Sequence, residues 1–580
     1  MKENSKKEWR LLALALLLML GGSLLANAIQ TVGGSVDVKD VRWVDSYGTL
    51  LSAFLFIPEG VSVENPAPAI VTIGGGDTNR EALSNWSLEL ARRGYVVLGF
   101  NKQGEGYSEG FGFDFAKGYG GPEALRYLHS LDIIDHDNIG MVGHSMGQDS
   151  IMKAASEYPD GYKALVNVAG AINPGLKNVA FIAGIGDDGP KQNPGAQEKM
   201  AEFFGMDFES IEEGKIYGSF EDGTAKALYY VPVPHALEIV HPRVIRYFVD
   251  WFQQAVPAPN PIPPSNQIWL WKFAGTAIAL VGLILFFLPL GAILLRTPFF
   301  KSLVKPIPEF KGLTGKGWWI GAILTVVIPV GSLFYIYTEA SKVLPGSDFW
   351  PMGRPNGIMG WALFGAVVTI ILILVNHFVL KGDRNATAHN YGLTSENGKI
   401  EWINIGKSLL LAFCLFGIGY LVMVLLYRWL LVDFRIFEVS FRLLTPERFG
   451  VLLKYLIPWM LAYTVLSANL HGLMRPKDGK ASFGRELLVN VILLAPFYYL
   501  WFPGFFGSMY AGNPAPFSGG FMKDWILSFP PTLAIVAVVS TYFYHKTGRV
   551  FVGAFLNAIL VVWSLIGGNM LGYVILSAYG

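Results

Sequence analysis

Two patterns of apolar residues divide the chain. Between residues 35 and 254, short apolar runs such as 68–73, 95–100 and 139–142 alternate with segments of helical spacing. Near-continuous apolar strands separated by helices are typical of a parallel sheet that is covered on both faces. From residue 268 onward, the apolar runs are long enough to cross a bilayer. The pattern therefore predicts an α/β domain followed by an all-α, multi-pass transmembrane domain.

Nine apolar runs approach or exceed the ~20 residues that a helix needs to cross hydrocarbon. They cover residues 11–28, 268–295, 317–338, 357–380, 405–427, 449–470, 486–507, 525–544 and 551–577. The first run follows a charged N-terminus, and we interpret residues 1–30 as a transmembrane signal anchor, although Ala26-Asn27-Ala28 also fits the cleavage site of a signal peptide. The other eight runs predict a transmembrane domain over residues 268–578.

The connecting segments indicate the domain boundary and the orientation. Residues 255–267, AVPAPNPIPPSNQ, contain five prolines and predict an extended linker. With a cytoplasmic N-terminus, the segments on that side hold 19 Lys and Arg residues, against nine in the loops and helix ends on the other side, where the 35–254 domain is not counted. This bias predicts a multi-pass protein of the cell membrane whose N-terminus is cytoplasmic and whose 35–254 domain is extracytoplasmic.

Composition and charge exclude several classes of protein. Hydrophobic residues make up 52% of the chain and charged residues 15%, against ~25% charged in ordinary soluble proteins, so a disordered chain is excluded. Residues 30–255 hold 30 acidic and 17 basic residues, whereas residues 256–580 hold 12 acidic and 24 basic residues. Because the basic half is also the apolar half, its charge does not indicate nucleic-acid binding. The single cysteine, Cys414, excludes a disulfide scaffold.

Two stretches, 106–110 and 143–147, match the pattern G-x-S-x-G. A nucleophile elbow needs a strand that leads into the serine and a helix that leads out of it, with small residues around the turn. Ser145 meets these conditions, because an apolar strand precedes it and a helical segment follows it. Ser108 instead follows a glycine-rich loop, and we interpret it as a turn residue.

A serine nucleophile needs a base, and the base needs an acid that orients it. In sites of this kind the serine comes first along the chain, then the acid, then the histidine. After Ser145, an apolar strand ends shortly before Asp187 and Asp188. Asp187 is the first choice for the acid and Asp188 the alternative. His235 follows the last strand of the domain and is the first choice for the base. The alternative, His241, precedes a helix.

The reaction places negative charge on the substrate oxygen, and the site needs hydrogen-bond donors that stabilise it. We expect the backbone N–H groups of Met146, Gly75 and Gly76 to form the oxyanion hole, since these residues follow the nucleophile and an early strand. His235, Glu238 and His241 could suggest a metal site, but His235 and His241 lie six positions apart, ~240° around a helix, so we expect no metal ligand set there and no cofactor.

With Ser145, Asp187 and His235 in this order, residues 35–254 resemble the α/β-hydrolase superfamily, and within it the dienelactone-hydrolase, acetyl-xylan-esterase and serine-aminopeptidase-like group. The stretches that carry the resemblance are the hairpin at Gly48, Gly74-Gly75-Gly76, residues 90–97, 104–108, the elbow, and residues 181–187. Two stretches depart from the family: Gly74-Gly75 stands in place of His-Gly, and Asn101-Lys102-Gln103-Gly104 in place of Asp-x-Arg-Gly. The resemblance implies a serine hydrolase that forms an acyl-enzyme.

The membrane domain bears on the choice of substrate. We expect a membrane-bound serine hydrolase that cleaves an acyl ester of a lipid, a cell-envelope group or another lipophilic substrate, with the bilayer as partner. The alternatives are a peptidase of the same fold, or a transport or sensing protein whose hydrolase-like domain binds a ligand. The apolar cores carry no acidic residue, which argues against a coupled transporter. Residues 428–448 interleave charges with aromatic residues and predict an interfacial helix.

Overall fold

The computed structural model describes residues 2–110, 112, 115–170, 175–187, 189–378, 386–477, 482–511, 513 and 525–572. One eight-stranded sheet forms the first domain, in the order β1-β2-β4-β3-β5-β6-β7-β8. The strands are β1 (Val36–Val44), β2 (Leu50–Pro58), β3 (Ala67–Ile73), β4 (Val96–Asn101), β5 (Ile134–His144), β6 (Ala164–Val168), β7 (Val179–Gly184) and β8 (Lys226–Val231). β2 runs antiparallel to both β1 and β4, and the other neighbours are parallel.

Helices cover both faces of this sheet. They are α2 (Ser84–Ala91), α3 (Gly121–His129), α4 (Met146–Glu157), α5 (Pro194–Phe204) and α6 (Pro242–Ala255). Every residue of β3 and β4 is buried, which explains why these strands read as continuous apolar runs rather than alternating ones. The mostly parallel sheet between two helical layers confirms the predicted α/β-hydrolase fold class.

The second part of the chain consists mainly of long apolar helices. They are α7 (Trp269–Leu294), α8 (Gly315–Val343), α9 (Gly353–Phe378), α10 (Trp402–Leu430), α11 (Pro446–Ala468), α12 (Phe483–Leu494), α13 (Trp501–Tyr510), α14 (Phe529–Thr547) and α15 (Phe551–Gly568), and the N-terminal α1 (Lys2–Gln30) belongs with them. Nine helical segments of the described ranges are long and apolar enough to cross a membrane, with α12 and α13 counted as one segment. They lie at the nine apolar runs of the sequence and support membrane association.

Helix α1 packs tightly against α7 through small residues. A Cβ atom added to Gly22 would lie 2.6 Å from the backbone nitrogen of Ala279, and one added to Gly275 would lie 2.7 Å from that of Ala26. Only glycine permits so close an approach, as at small-residue interfaces between membrane helices. The N-terminal segment is therefore an integral part of the helical domain in this structure.

The proline-rich linker lies against the hydrolase domain. The Arg93 guanidinium donates hydrogen bonds to the carbonyl oxygens of Pro263, at 2.8 Å, and Asn266, at 3.0 Å. The buried Glu89 carboxylate accepts hydrogen bonds from the backbone N–H groups of Ile268 and Trp269, where α7 begins. These contacts fix the start of α7 to α2, so the linker is a docked segment.

The prediction of an interfacial helix over 428–448 is wrong. The segment contains the end of α10 and a short hairpin, β9 (Phe434–Ile436) and β10 (Val439–Phe441). Its basic residues Arg435, Arg442 and Arg448 are buried rather than exposed to headgroups. Their partners include hydrolase-domain groups such as Asn79, Glu81 and the carbonyl of Gly104, and the sequence gives no sign of such distant pairing.

The expectation that the apolar spans hold no acidic residue fails at Glu486. This residue begins one predicted span and is buried near the start of α12. Its carboxylate lies 2.7 Å from His471 Nδ1 and 2.7 Å from His545 Nε2. His471 also reaches Ser540 Oγ through its Nε2, at 2.8 Å. The carboxylate is accommodated because two imidazoles surround it.

Candidate active site

The turn between β5 and α4 consists of Ser145 alone. This residue has φ 51° and ψ −120°, a strained conformation for a residue with a side chain. A Cβ atom added to Gly143 would lie 2.3 Å from the carbonyl oxygen of Gly147, and one added to Gly147 would lie 2.4 Å from that of Ile73. The glycines of the motif are therefore a steric requirement of the turn, which presents the serine hydroxyl at the end of the sheet.

His235 and Asp187 meet beside this turn. His235 follows β8 and opens a 3-10 turn, and Asp187 follows β7 by three residues. His235 Nδ1 lies 2.9 Å from Asp187 Oδ2, and His235 shares with Ser145 a pocket of about 450 Å³. The structure thus brings the three first-choice residues together where β5, β7 and β8 end.

The remaining candidates lie elsewhere. Asp188 lies outside the described residues. His241 forms the N-cap of α6, where its Nδ1 accepts a hydrogen bond from the backbone N–H of Arg243 at 3.3 Å. Burial, followed by the charge of Arg243, lowers the pKa of His241. Ser108 is buried, and its hydroxyl donates to the carbonyl of Asn101, which agrees with its interpretation as a structural turn residue.

The glycine loop after β3 lies directly against Ser145. A Cβ atom added to Gly75 would lie 2.9 Å from that of Ser145. The buried Lys102 Nζ donates to the carbonyl oxygens of both Gly74 and Gly75, at 2.8 Å each. Because a trans peptide points its C=O and N–H in opposite directions, Lys102 turns the N–H groups of Gly75 and Gly76 away from itself.

Three backbone N–H groups are thereby free at the pocket. Gly75, Gly76 and Met146 all line it, and within the described part of the chain no acceptor takes their amide hydrogens. Met146 is the first residue of α4, so the positive end of that helix also faces the pocket. This arrangement can stabilise a negatively charged oxygen.

Lys102 belongs to the stretch that departs from the family pattern. Its Nζ lies 2.9 Å and 3.1 Å from the two carboxylate oxygens of Glu105. Burial raises the pKa of Glu105 to about 7, although the charge of Lys102 opposes this rise. The departure therefore supplies a buried ion pair behind the oxyanion loop.

Glu238, which the sequence suggested only as a metal ligand and which was set aside on spacing, lies beside His235. Its buried carboxylate accepts a hydrogen bond from the backbone N–H of Gly184 and contacts His144 Nε2 at 3.1 Å. It also lies 3.9 Å from His235 Nδ1. Burial, followed by the charge of His235, lowers the pKa of His144 well below 6.5. The neutral His144 ring then donates from Nε2 to Glu238.

These residues are also close enough to hold a metal ion. One ligand atom from each of His144, His235 and Glu238 lies within 4.8 Å of the others. The same residues form a hydrogen-bond network, however, in which His144 is hydrogen-bonded to Glu238 and His235 to Asp187. The network accounts for their proximity without an ion.

The membrane domain completes the wall of the pocket with Arg354, Glu438 and Trp525. Arg354 forms an ion pair with Asp77 of the oxyanion loop. The other carboxylate oxygen of Asp77 accepts a hydrogen bond from the backbone N–H of Met570 at 2.6 Å. More than 200 positions separate each of these membrane-domain residues from Ser145, so local sequence patterns carried no signal for them.

Comparison with known proteins agrees with this geometry. Residues 47–179 match the family model of the X-Pro dipeptidyl-peptidase (S15) family. Dipeptidyl-peptidase 5 of Porphyromonas gingivalis is 28% identical over 144 residues, which are 23% of this chain and 21% of that protein. The match thus spans about a fifth of the length of the curated relative. These matches support the prediction of a serine hydrolase.

Solved structures with similar domains include a dienelactone hydrolase and an esterase. The dienelactone hydrolase of Anabaena variabilis is 17% identical, with 38% of this chain and 99% of that chain covered and a TM-score of 0.29. The esterase of Pyrococcus furiosus is 16% identical, with 39% and 95% covered and a TM-score of 0.30. The strand order and elbow of the chain itself establish its fold. The chain joins an α/β-hydrolase domain to a domain of apolar, membrane-type helices.

Proposed function

We propose that the protein is a membrane-bound serine hydrolase that cleaves an acyl ester of a lipophilic substrate. The observation that carries this proposal is the pocket that Ser145 and His235 both line. Ser145 stands alone in a strained strand-to-helix turn, and His235 Nδ1 lies 2.9 Å from the Asp187 carboxylate. This combination supplies a nucleophile, a base and an orienting acid.

The chemistry follows from these roles. Ser145 Oγ attacks the ester carbonyl carbon while His235 Nε2 accepts its proton, and a tetrahedral intermediate forms. The bond to the leaving alcohol then breaks, and His235 returns the proton to that oxygen, which leaves an acyl-enzyme. Water, deprotonated by His235, hydrolyses the acyl-enzyme to the carboxylic acid and free serine. Asp187 orients the imidazole and stabilises its positive charge.

The oxyanion hole consists of the N–H groups of Met146, Gly75 and Gly76. Lys102 keeps the glycine loop in place through the two carbonyl oxygens that it binds. Preorganised donors of this kind matter because removal of one typically lowers kcat by ~10²–10³-fold. Lys102 acts here as a positioning residue, since it contacts the loop and not the substrate.

The membrane domain favours a lipophilic ester over a peptide. Three of its residues wall the pocket, so a substrate that reaches Ser145 lies between the two domains. A peptidase of the same fold is the second candidate, and the match to the X-Pro dipeptidyl-peptidase family favours it. The third reading, a binding domain in a transport or sensing protein, requires that Ser145 be inert.

We further propose that α1 is an uncleaved anchor and that the hydrolase domain is extracytoplasmic. Glu8, near the N-terminal end of α1, forms ion pairs with Arg296 and Lys546 of segments that are predicted to be cytoplasmic. Asn27, near its other end, donates to the carbonyl of Leu430 at 2.9 Å, close to where the hydrolase domain begins. These contacts agree with the bias in basic residues.

The test compares ester and peptide hydrolysis by the full-length protein in nanodiscs. We expect turnover of p-nitrophenyl butyrate but not of an Xaa-Pro p-nitroanilide. Ser145→Ala and His235→Gln should lower kcat by about 10⁴-fold or more, and Ser108→Ala, the matched control at the other G-x-S-x-G stretch, should keep its activity. Cleavage of the anilide alone would favour the peptidase, and full activity of Ser145→Ala would refute both enzymes.

A further inference from the structure

A large cavity lies between the hydrolase domain and the membrane helices. It occupies about 1070 Å³, part of which is open to the outside. Hydrolase-domain residues such as Thr78 and Ile239 line one side, and Phe273, Trp361, Trp459 and Phe529 line the membrane side. We call this space the interdomain cavity. Its aromatic and aliphatic lining suits an apolar occupant.

The interdomain cavity adjoins the pocket of Ser145. Four residues line both spaces: Thr78, Ile239, Glu438 and Trp525. The shared residues place the interdomain cavity directly beside Ser145.

A second cavity extends the first one toward the middle of the membrane helices. It occupies about 860 Å³, part of which is open to the outside, between α8, α9, α11 and α12, and we call it the helix cavity. Trp361, Trp459, Tyr463 and Leu533 line both it and the interdomain cavity. Tyr463 lies 17 residues after Pro446, where α11 begins, and at ~1.5 Å per residue this is ~25 Å along the helix. The three adjoining spaces thus reach from Ser145 to membrane depth.

We propose that these cavities hold the acyl chain of a long-chain membrane lipid ester, with its carbonyl at Ser145. The inference deepens the proposed function and rests on it. A peptide would bring backbone N–H and C=O groups that need partners, whereas the side chains shared by the two cavities are three aromatic residues and a leucine. A linear acyl chain needs no partners and gains from removal of its surface from water.

The chain-length dependence of the full-length enzyme tests this inference first. We expect alkyl fluorophosphonates to inactivate the wild type faster as the alkyl chain grows from methyl to hexadecyl. We also expect kcat/KM for p-nitrophenyl esters to rise from acetyl to palmitoyl. Equal rates for all chain lengths would refute the inference, because a chain outside the cavities gains nothing from them.

Cavity-filling variants locate the chain. Leu533→Trp fills the junction between the two cavities, and Ser564→Phe fills the interdomain cavity. Each should lower kcat/KM for palmitoyl esters by at least about tenfold, since every methylene kept out of an apolar site costs roughly fourfold. The acetyl ester should lose less activity, so the ratio of palmitoyl to acetyl kcat/KM should fall. Ile371→Trp, on the exposed face of α9, is the matched control and should change neither substrate.

The outcomes separate this inference from the proposed function. Normal palmitoyl turnover in both Leu533→Trp and Ser564→Phe would refute the chain-binding role while the hydrolase remains. Failure of the wild type to react with any ester or fluorophosphonate would refute the proposed function, and the inference with it.

Discussion

Glu81 joins the hydrolase domain to the membrane domain through a buried charge network. Its carboxylate accepts a hydrogen bond from the Tyr427 hydroxyl at 2.9 Å and lies 3.2 Å from Arg80 Nε. The second carboxylate oxygen lies 3.5 Å from Arg442 Nη2, and the side chains of Glu81 and Arg442 are 1% and 2% exposed. Substitution Glu81→Gln keeps the shape of the side chain and removes its charge, so it tests what this network contributes.

The magnitude follows from the electrostatics of the site. Burial alone would raise the pKa of Glu81, but the charges of Arg442, Arg80 and Arg435 outweigh it and hold the pKa at about 2, against 4.5 for an ordinary glutamate. At ~1.4 kcal/mol per pH unit, this difference corresponds to about 3 kcal/mol. Removal of one partner from a buried ion pair typically costs ~3–5 kcal/mol, which is of the same order.

Thermal unfolding of the full-length protein in detergent micelles measures this cost. For a domain of this size, ~1 kcal/mol shifts Tm by ~2–4 °C, so Glu81→Gln should lower Tm by about 6–12 °C. The control is Glu157→Gln, which breaks a surface pair with Lys153 whose side chains are 39% and 38% exposed; it should cost ~1 kcal/mol at most. Equal Tm values for the two variants would refute the buried junction.

Three further predictions concern pH, the pocket and the N-terminal helix. The pKa of Glu105 in the folded protein, about 7, lies above its ordinary value of 4.5, so the stability that its protonated form contributes is complete below pH 4.5 and is lost as the pH rises through 7. Glu105→Gln should therefore flatten the fall in Tm between pH 4.5 and pH 7. An unchanged pH profile of Tm would contradict the buried carboxyl. Glu238→Ala leaves the N–H donors of His144 and Gly184 without their acceptor, and each unpaired donor costs ~1–3 kcal/mol of stability. We therefore expect a lower Tm together with a lower kcat. Wild-type kinetics would exclude a positioning role for Glu238. Intact-mass analysis of protein purified from membranes should find residues 1–30 retained, and a chain that begins after Ala28 would contradict the anchor. Gly275→Val, whose side chain would overlap α1, should destabilise the protein.

Local sequence patterns predicted the elements on which the site depends. The elbow was readable because its steric requirement falls on neighbouring residues, Gly143, Ser145 and Gly147. Ser145, Asp187 and His235 could be chosen as site residues because each follows the end of a strand, and each strand was evident from its own apolar run. The long membrane helices were predictable for the same reason, since each is a property of a single continuous segment.

Interactions between distant segments were not predictable. The charges of 428–448 fit the pattern of an interfacial helix, yet they form a buried hairpin because their partners, such as Glu81, lie some 350 positions away. Arg354 could be counted only as one more basic residue outside the membrane, although it lines the pocket of Ser145. Glu486 was visible as the first residue of a predicted span, but its burial between two histidines was not, because those histidines lie on other helices. In each case, the energy of the contact depends on a partner that a single sequence does not identify.

Covalent labelling with a fluorophosphonate probe tests the activated serine most directly. Full-length wild type in detergent is treated beside Ser145→Ala and Ser108→Ala, and the modified peptide is identified by mass spectrometry. The account predicts modification of Ser145 in the wild type and in Ser108→Ala, and none in Ser145→Ala. Absence of labelling in folded wild type, or labelling that persists in Ser145→Ala, would contradict the assignment of Ser145 as the nucleophile.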